Sequence, residues 1–407
     1  MYSLKWRGNK YQYLIANYYY LIVVAVYSLS IYLPFIRTGV TMAVVLLYLY
    51  TSCKIVRYSS VNSGLVFAYF IYCILSIQGY FYNGMPVSIY MSEISTQILP
   101  IIFFFIPFNK RINRELFYGT FMIAIAFAII LGLYYYIYNP PAYVQYMLKS
   151  VSDSYEGNIG NTIIRFNSLF GSIIMGTLSL FMLIILIDKF WNRKFLSITK
   201  SLLLLLLYTI TLVSIFLTAQ RSAMVLAVFC IAFMYICSII YWNKVKVSFT
   251  LFNIIFYAIV VTVLITSFQE YFDFLSKRLE SVDTAFEERD SQWIETFQHS
   301  KNFIFGTGLG SAGHRAMPFT NYFIADGGLF KLTAELGTIG MSLFLFILLK
   351  FMLSKIKYFP ELFREYLIVF VCLLQSVGSN TIVFQQVLPV FWFSLGSIAS
   401  YYKIKKI

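Results

Sequence analysis

The chain has 407 residues, of which 60% are hydrophobic and only 12% are charged, and its mean hydropathy is +0.76. A soluble domain is about half apolar and about a quarter charged, so this composition excludes an ordinary soluble fold and predicts a protein partly covered by lipid. The formal net charge of +14 could indicate nucleic-acid binding, but the basic residues cluster between apolar segments. We therefore expect no nucleic-acid partner.

The first apolar segment, residues 18–35, follows three basic residues at Lys5, Arg7 and Lys10. It is long for a signal-peptide core and lacks a clear small-residue cleavage site, which predicts an uncleaved first span. Eleven further segments are candidates for membrane-spanning helices. They are residues 40–53, 65–78, 94–108, 117–138, 166–187, 202–217, 223–242, 249–268, 328–349, 366–378 and 387–402.

The fold class that follows is an all-α polytopic membrane protein with about twelve transmembrane helices, forming one integral-membrane domain over residues 1–407. Helices are expected because lipid cannot satisfy free backbone groups, and the apolar segments are too long for barrel strands. The fourth segment is the least regular, since Gln97, Pro100 and Pro107 interrupt it.

The distribution of basic residues predicts the orientation. If the N-terminus lies inside, 21 of the 31 lysines and arginines fall in cytoplasmic segments, as the positive-inside rule requires. Both termini are then cytoplasmic. The net positive charge is therefore explained by topology.

Two segments on the outer side exceed an ordinary turn, and loops of that length are usually functional or disordered. The smaller covers residues 139–165, and the larger covers 269–326, between the ninth and tenth spans. In the larger loop, apolar residues from Phe272 to Phe286 recur at helical spacing. Asp290 or Ser291 could cap a second helix there.

A glycine-rich run, Gly306 to Gly313, lies in the larger loop. Its end matches GxGxxG, but without a βαβ unit the match does not indicate dinucleotide binding. Gly308 and Gly310 could instead form a tight turn or let backbone N–H groups approach an anion. His314 follows directly and could carry protons near neutral pH, or simply be a solvated loop residue.

The five cysteines and two histidines of the chain are not arranged as a metal site or a disulfide framework. All the cysteines lie in or at the edges of apolar segments, where they serve as small apolar residues. We expect no bound metal. The cysteines are Cys53, Cys73, Cys230, Cys237 and Cys372.

Charged residues near the outer membrane edge are the main candidates for chemistry. An arginine there could simply extend toward lipid headgroups, but several arginines around one cavity would suit a diphosphate. These arginines are Arg165, Arg221, Arg278 and Arg289. Asp326 and Glu335 flank the start of the tenth span, and Glu335 could form an ion pair with Lys331 four residues earlier.

Several of these residues form a pattern that resembles the superfamily of bacterial O-antigen ligases and O-antigen polymerases. The resemblance extends from about residue 165 to 350. Its parts are Arg165 with Phe170-Gly171, Leu217-Thr-Ala-Gln-Arg221-Ser, Arg289-x-x-x-Trp293, Phe303-Ile-Phe-Gly306-Thr-Gly308-Leu-Gly310 and Glu335-Leu-Gly337-Thr-Ile-Gly340.

The resemblance implies an inverting glycosyltransferase in the bacterial inner membrane, working at its periplasmic face without metal or nucleotide cofactor. The substrates it implies are glycans on undecaprenyl diphosphate, as donor and acceptor, and a chain-length regulator is a further possible partner. Arg165, Arg221 and Arg289 would bind the diphosphate, with Arg278 as a further candidate. Trp293, Gly308, Gly310 and Glu335 would support them.

One departure from the family pattern bears on the reaction. Ligases have a His-Asn pair about nine residues before the glutamate that matches Glu335, and here Asp326-Gly327 stands in that place. This favours an O-antigen polymerase in lipopolysaccharide biosynthesis, with Asp326 or His314 as the general base. The alternatives are an O-antigen ligase and a lipid-linked oligosaccharide flippase; no repeated halves typical of a transporter are visible.

Overall fold

The computed structural model of the protein describes residues 10–33, 64–78, 84–108, 113–150, 165–192, 198–238, 282–300 and 302–401, with the single positions 240, 259, 262, 273 and 276. Over these residues the chain is helical and contains no β-strand. The α-helices are α1 Lys10–Tyr32, α2 Gly64–Leu75, α3 Val87–Glu93, α4 Arg114–Tyr138, α5 Pro141–Ser150, α6 Ser172–Asn192, α7 Ile198–Leu217, α8 Arg221–Cys237, α9 Val282–Gln298, α10 Gly328–Ser354, α11 Phe363–Gly378 and α12 Leu388–Ser400.

Several helices are suited to a bilayer, which confirms the prediction of an all-α integral membrane protein. The predicted spans 40–53 and 249–268 lie outside the described residues, except positions 259 and 262, so the number of twelve spans stays a prediction. Within the described residues, five segments are long and apolar enough to cross a membrane: Val87–Phe108, Arg114–Tyr138, Ser172–Phe190, Thr199–Leu217 and Gly328–Ser354.

Helices α6 and α12 occupy the centre of the bundle. Helix α6 packs against α4, α7, α8 and α11, while α12 packs against α10 and α11. Every residue of α6 from 175 to 187 is therefore buried, as expected for a helix that is apolar on all sides. The hydroxyl of Ser179 in this stretch forms a hydrogen bond with Ser214 of α7 (2.9 Å).

Residues 87–108 form one helical rod whose pitch changes along its length. Val87–Glu93 is α-helical, Ile94–Ile98 is π-helical and Leu99–Phe104 is 3₁₀-helical. Pro100 has no N–H to donate, so a regular α-helix cannot continue through it, and it lies at the start of the 3₁₀ turn. The predicted fourth span thus begins earlier than residue 94, and the chain accommodates the proline by a change of pitch.

The predicted start of the sixth span, at residue 166, is wrong. Residues 165–171 form a turn, and α6 begins at Ser172. The side chain of Asn167 accepts a hydrogen bond from the Ser172 N–H (3.0 Å), which satisfies one of the donors that a helix start leaves open. The apolar residues of this turn are buried, so its sequence resembles the start of a membrane-spanning helix.

The predicted break at Asp290 or Ser291 is also wrong. Helix α9 runs unbroken from Val282 to Gln298. The hydroxyl of Ser291 donates to the carbonyl of Glu288 one turn earlier (2.8 Å), a bond made inside a helix rather than at its cap. The apolar helix face expected before residue 282 lies outside the described residues, except positions 273 and 276.

Contacts among helix ends define one end of the bundle, which we call the Arg364 end. The start of α4, the last turn of α6 and the start of α11 meet there. Arg364 lies 2.9 Å from Glu115 and 3.5 Å from Asp188, measured between guanidinium nitrogen and carboxylate oxygen.

The opposite end, which we call the glycine-loop end, collects the other ends of the same helices. The N–H of Phe166 donates to the carbonyl of Leu217 (3.0 Å), and the N–H of Gly328 donates to the carbonyl of Ser379 (2.9 Å). Helices connected by short turns therefore alternate in direction. The candidate site residues lie at this end.

Candidate active site at the glycine-loop end

Helix α10 is broken at Gly337, and the glycine loop, residues 303–313, packs into the break. Gly337 has φ +69° and ψ −178°, a conformation that only glycine adopts without strain. The break removes helical partners from the carbonyls of Ala334 and Glu335. These carbonyls instead accept hydrogen bonds from the N–H groups of Thr307 and Gly308, both at 2.9 Å.

The N–H groups after the break are also satisfied by the loop. Thr338 donates to the carbonyl of Phe303 (3.1 Å), and Ile339 donates to that of Ile304 (3.2 Å). Gly306 lies so close to the break that a Cβ there would overlap the Glu335 carbonyl. The loop and the broken helix are therefore one structural unit.

Gly308 and Gly310 have a structural role in this unit. Both have positive φ, +99° and +84°, and the N–H of Gly308 is already bonded to the Glu335 carbonyl. A Cβ on Gly310 would lie 2.9 Å from Ile89 and 3.0 Å from Glu93. Of the two interpretations of the run, these contacts fit a tight turn better than an anion cradle.

The break places a buried set of charges beside the glycine loop, which we call the Glu93 cluster. Glu93 accepts hydrogen bonds from Lys331 and Arg315, each at 3.1 Å. Lys331 also lies 3.6 Å from Glu335. The Glu335 side chain is fully buried, and those of Glu93 and Lys331 are 5% exposed, whereas Arg315 is 47% exposed. Two acids and two bases balance in charge, as a buried set requires.

Sequence reasoning found only part of this cluster. The four-residue spacing predicts the Lys331–Glu335 pair, and it is present. It missed Glu93, which is 238 residues away from Lys331 in the chain and lies just before the predicted fourth span. An acid at the edge of an apolar segment, without a basic residue within a helical turn, is the signal that could have found it.

A cavity of about 450 Å³ opens beside the Glu93 cluster. Glu93, Lys331 and Arg315 form part of its wall, and the turn between α5 and α6 contributes Leu169 and Phe170. The volume lies within the range of about 300–1,000 Å³ that is usual for small-molecule pockets.

The two candidate bases lie in different places. His314 lines the cavity and is exposed, at a ring distance of 6.2 Å from Phe323. Asp326 does not line the cavity; its Oδ2 accepts a hydrogen bond from Arg289 Nη2 (2.8 Å). Each of the two side chains of that pair is about one third exposed.

Trp293 fixes the segment that holds Asp326. Its indole Nε1 donates to the main-chain carbonyl of Asp326 (2.7 Å), and its ring stacks on Phe330 with a centroid distance of 3.9 Å. Gly327 has φ +116°, and a Cβ added to it would lie 3.0 Å from the indole nitrogen of Trp293. The side chains of Arg289 and Trp293, one helical turn apart on α9, thus both bind Asp326, which lies just before the start of α10.

The predicted arginines come together in part. The guanidinium groups of Arg221 and Arg289 are close enough to repel each other electrostatically. Arg165 precedes Phe166, whose N–H is bonded to Leu217, four residues before Arg221. Arg278 lies outside the described residues. Two arginines therefore form a pair, called the arginine pair below, and a third lies on the adjoining turn.

No three His, Cys, Asp or Glu side chains come together as a metal site would require, within the residues that the structure describes. Cys73, Cys230, Cys237 and Cys372 are buried as free thiols; Cys53 lies outside the described residues. Among the described residues that line the cavity, the charged side chains are those of Glu93, Lys331 and Arg315.

Comparison with known proteins bears on residues at this end of the bundle. A family model described as O-Antigen ligase matches residues 206–345, about a third of the chain. The matched region contains Arg221, Arg289, Trp293 and the glycine loop, but neither Arg165 nor Glu93. A search of curated proteins found no match.

Proposed function

We propose that the chain is a polymerase of surface polysaccharide, a proposal supported by the match of residues 206–345 to the O-Antigen ligase family model. It joins repeat units carried on undecaprenyl diphosphate at the periplasmic face of the bacterial inner membrane. Placing the glycine-loop end in the periplasm follows from the positive-inside rule.

The arginine pair is the observation that carries the proposal. The positive charges of Arg221 and Arg289 lie within electrostatic range of each other, and a diphosphate between them would replace their repulsion by attraction to both. The planar fork of a guanidinium matches two phosphate oxygens at once. The diphosphate of a lipid carrier would reach the pair from the membrane, because Arg221 begins the apolar helix α8.

Asp326 holds one arginine of this pair in place by a hydrogen bond. Its carboxylate binds Nη2 of Arg289, and an arginine carries five N–H donors. The bond therefore orients the guanidinium while leaving other donors for a ligand.

The proposed reaction is a single displacement. A hydroxyl oxygen of the acceptor attacks the anomeric carbon of the donor glycan, the bond from that carbon to the diphosphate breaks, and the configuration inverts. Undecaprenyl diphosphate leaves with the bonding electrons, and the arginine pair stabilises the charge that develops on it. The hydroxyl proton passes to a base, for which His314 and Asp326 remain the candidates.

Two observations bear on the choice between polymerase and ligase. Asp326-Gly327 stands where ligases have His-Asn, which favours the polymerase. The description of the matching family names a ligase, so ligation to lipid A core is the second candidate.

The test is a complementation experiment. In a strain that lacks its own copy, Arg221→Ala and Arg289→Ala are expected to abolish the long-chain polysaccharide ladder on a gel. Arg114→Ala at the Arg364 end is a matched control, since the side chain of Arg114 is 35% exposed and that of Arg289 is 31% exposed.

The gel pattern also separates the rival activities. Loss of a polymerase leaves core capped with a single repeat, whereas loss of a ligase leaves bare core. Unchanged ladders in both arginine variants, with the protein present in the membrane, would reject the proposed role of the pair.

A further inference from the structure

We propose that the cavity beside the Glu93 cluster binds the sugar of the acceptor substrate, and that Glu93 positions it by accepting hydrogen bonds from sugar hydroxyls. This inference rests on the proposed function and adds a second subsite to it. Glu93 and most of the cavity lie outside the family match, which begins at residue 206.

The charge of the cavity favours a neutral, hydroxyl-rich ligand over a phosphate. Both cations on its wall, Lys331 and Arg315, are already bonded to Glu93 at 3.1 Å. The carboxylates of Glu93 and Glu335 already balance these two cations, so a phosphate here would add negative charge that nothing in the cluster balances. At the arginine pair, by contrast, the charges of two guanidinium groups lie within electrostatic range of each other, so the two places select different parts of one substrate type.

The Glu93 carboxylate can accept further hydrogen bonds. A carboxylate offers about four lone-pair sites, and one bond to each oxygen is used, Oε1 by Arg315 and Oε2 by Lys331. The remaining sites suit O–H donors. Because two cations hold the carboxylate in place, it would bind a hydroxyl without having to be ordered first.

A second buried polar group on the cavity wall points to a ligand independently. Asn380 is 7% exposed, and its side-chain oxygen has no hydrogen-bond partner among the described residues. Its Nδ2 donates to the carbonyl of Ala325. A buried amide oxygen without a partner is unfavourable, and a hydroxyl donor in the cavity would satisfy it.

Aromatic rings supply the apolar part of the wall. Tyr27 and Phe170 line the cavity and pack edge to face with a centroid distance of 4.9 Å. The Tyr27 hydroxyl is fixed by Gln386, whose Nε2 donates to it at 2.7 Å. Fixed ring faces beside amide and hydroxyl groups match a sugar, which has polar edges and apolar faces.

The cavity and the arginine pair lie on either side of the short segment that contains Ala325 and Asp326. Asn380 lines the cavity and is bonded to Ala325, the residue before Asp326, which in turn binds Arg289. An acceptor sugar in the cavity would thus lie next to a diphosphate at the arginine pair. His314, also on the cavity wall, would be on the acceptor side.

The probe for this subsite is the organism's own repeat-unit oligosaccharide, released from its lipid carrier by mild acid so that it has no diphosphate. Binding to the full chain in nanodiscs is measured by calorimetry. Glu93→Gln and Gln385→Ala, which changes a neutral residue of the cavity wall, are each expected to weaken binding about tenfold. Arg289→Ala is expected to leave oligosaccharide binding unchanged.

Glu365→Gln is the matched control, because it makes the same change in a buried ion pair at the Arg364 end. If oligosaccharide binding falls in Arg289→Ala but not in Glu93→Gln or Gln385→Ala, the assignment of the cavity is wrong. If the protein binds undecaprenyl diphosphate but no oligosaccharide, this inference fails while the proposed function stands. If it binds neither, the proposed function fails.

Discussion

The Glu93 cluster and the cluster around Arg364 are both buried sets of charges, placed at opposite ends of one bundle. At the glycine-loop end, the buried cation is Lys331, between Glu93 and Glu335. At the Arg364 end, the cation is Arg364, and its side chain is 6% exposed. Burial of charge is unfavourable unless it is paired, and both clusters meet that condition.

The two clusters differ in whether their charged groups face a cavity that could hold a ligand. Arg364 contacts three carboxylates, those of Glu115, Asp188 and Glu365, within 3.5 Å. Its remaining face lies 3.9 Å above the ring of Tyr118. The Glu93 cluster instead forms part of a cavity wall and packs on a broken helix. The similar burial of the two central cations therefore does not distinguish a functional cluster from a structural one. The cavity beside the Glu93 cluster does.

Removal of the central cation should give the largest effect and test this distinction directly. Lys331→Met and Arg364→Met each leave buried carboxylates without their main partner, so each should destabilise the protein by about 3–5 kcal/mol. Thermal unfolding in detergent measures this loss. Polymer formation per folded molecule should fall only in Lys331→Met.

The paired design contains its own control, since the two variants make the same type of change at equal depth. Equal activity per folded molecule in both would show that the Glu93 cluster is as purely structural as the Arg364 cluster.

A methyl group at the helix break should have a smaller but clear effect. In Gly337→Ala the Cβ would overlap the backbone of the glycine loop at Ile304 and Gly306. The positive φ alone is unfavourable by about 1–2 kcal/mol for alanine. The melting temperature and the polysaccharide ladder should both decrease.

Gly119→Ala provides the contrast, because Gly119 lies in α4 near the Arg364 end with no atom within 4 Å of a new Cβ. Alanine is the better helix former by about 1 kcal/mol, so this variant should be as stable as the parent or more so. A stable and fully active Gly337→Ala would contradict the docking of the loop into the break.

The smallest expected effect comes from the loss of one hydrogen bond at each end. Trp293→Phe keeps a ring on Phe330 but removes the bond to the Asp326 carbonyl. Tyr118→Phe keeps a ring under Arg364 but removes the bond to Ser394 (2.9 Å). Each should destabilise by about 1 kcal/mol, measured by thermal unfolding.

Only Trp293→Phe should also slow polymer growth, because Trp293 fixes the segment that orients Arg289. If growth slows equally in Tyr118→Phe, the decrease reflects general stability, and the proposed role of Trp293 is wrong.

Much of the fold could be predicted because apolar length and basic flanks are local properties of the sequence. Helices α4, α7 and α10 lie where the predicted spans place them. The errors have a common cause in tertiary contacts. Residues 165–171 look like a helix because they are buried, and α9 continues past Ser291 because its hydroxyl bonds within the helix.

The candidate site likewise has residues that a local motif predicts and residues that only the tertiary structure identifies. Arg289 and Trp293 were predicted from a short motif and act on one peptide in the structure. Glu93 could not be assigned, because its partners, Lys331 and Arg315, are more than 200 residues away in sequence. The described wall of the cavity comes from seven separate stretches of the chain, which no local pattern brings together.

The most direct test of the central claim is the affinity of the purified protein for undecaprenyl diphosphate in nanodiscs. Our account predicts that Arg289→Ala weakens binding by at least about tenfold, since a charge-assisted hydrogen bond contributes about 1.5–3 kcal/mol. Arg114→Ala should bind like the parent. Equal affinity in Arg289→Ala and the parent would contradict the claim that the arginine pair holds the lipid diphosphate.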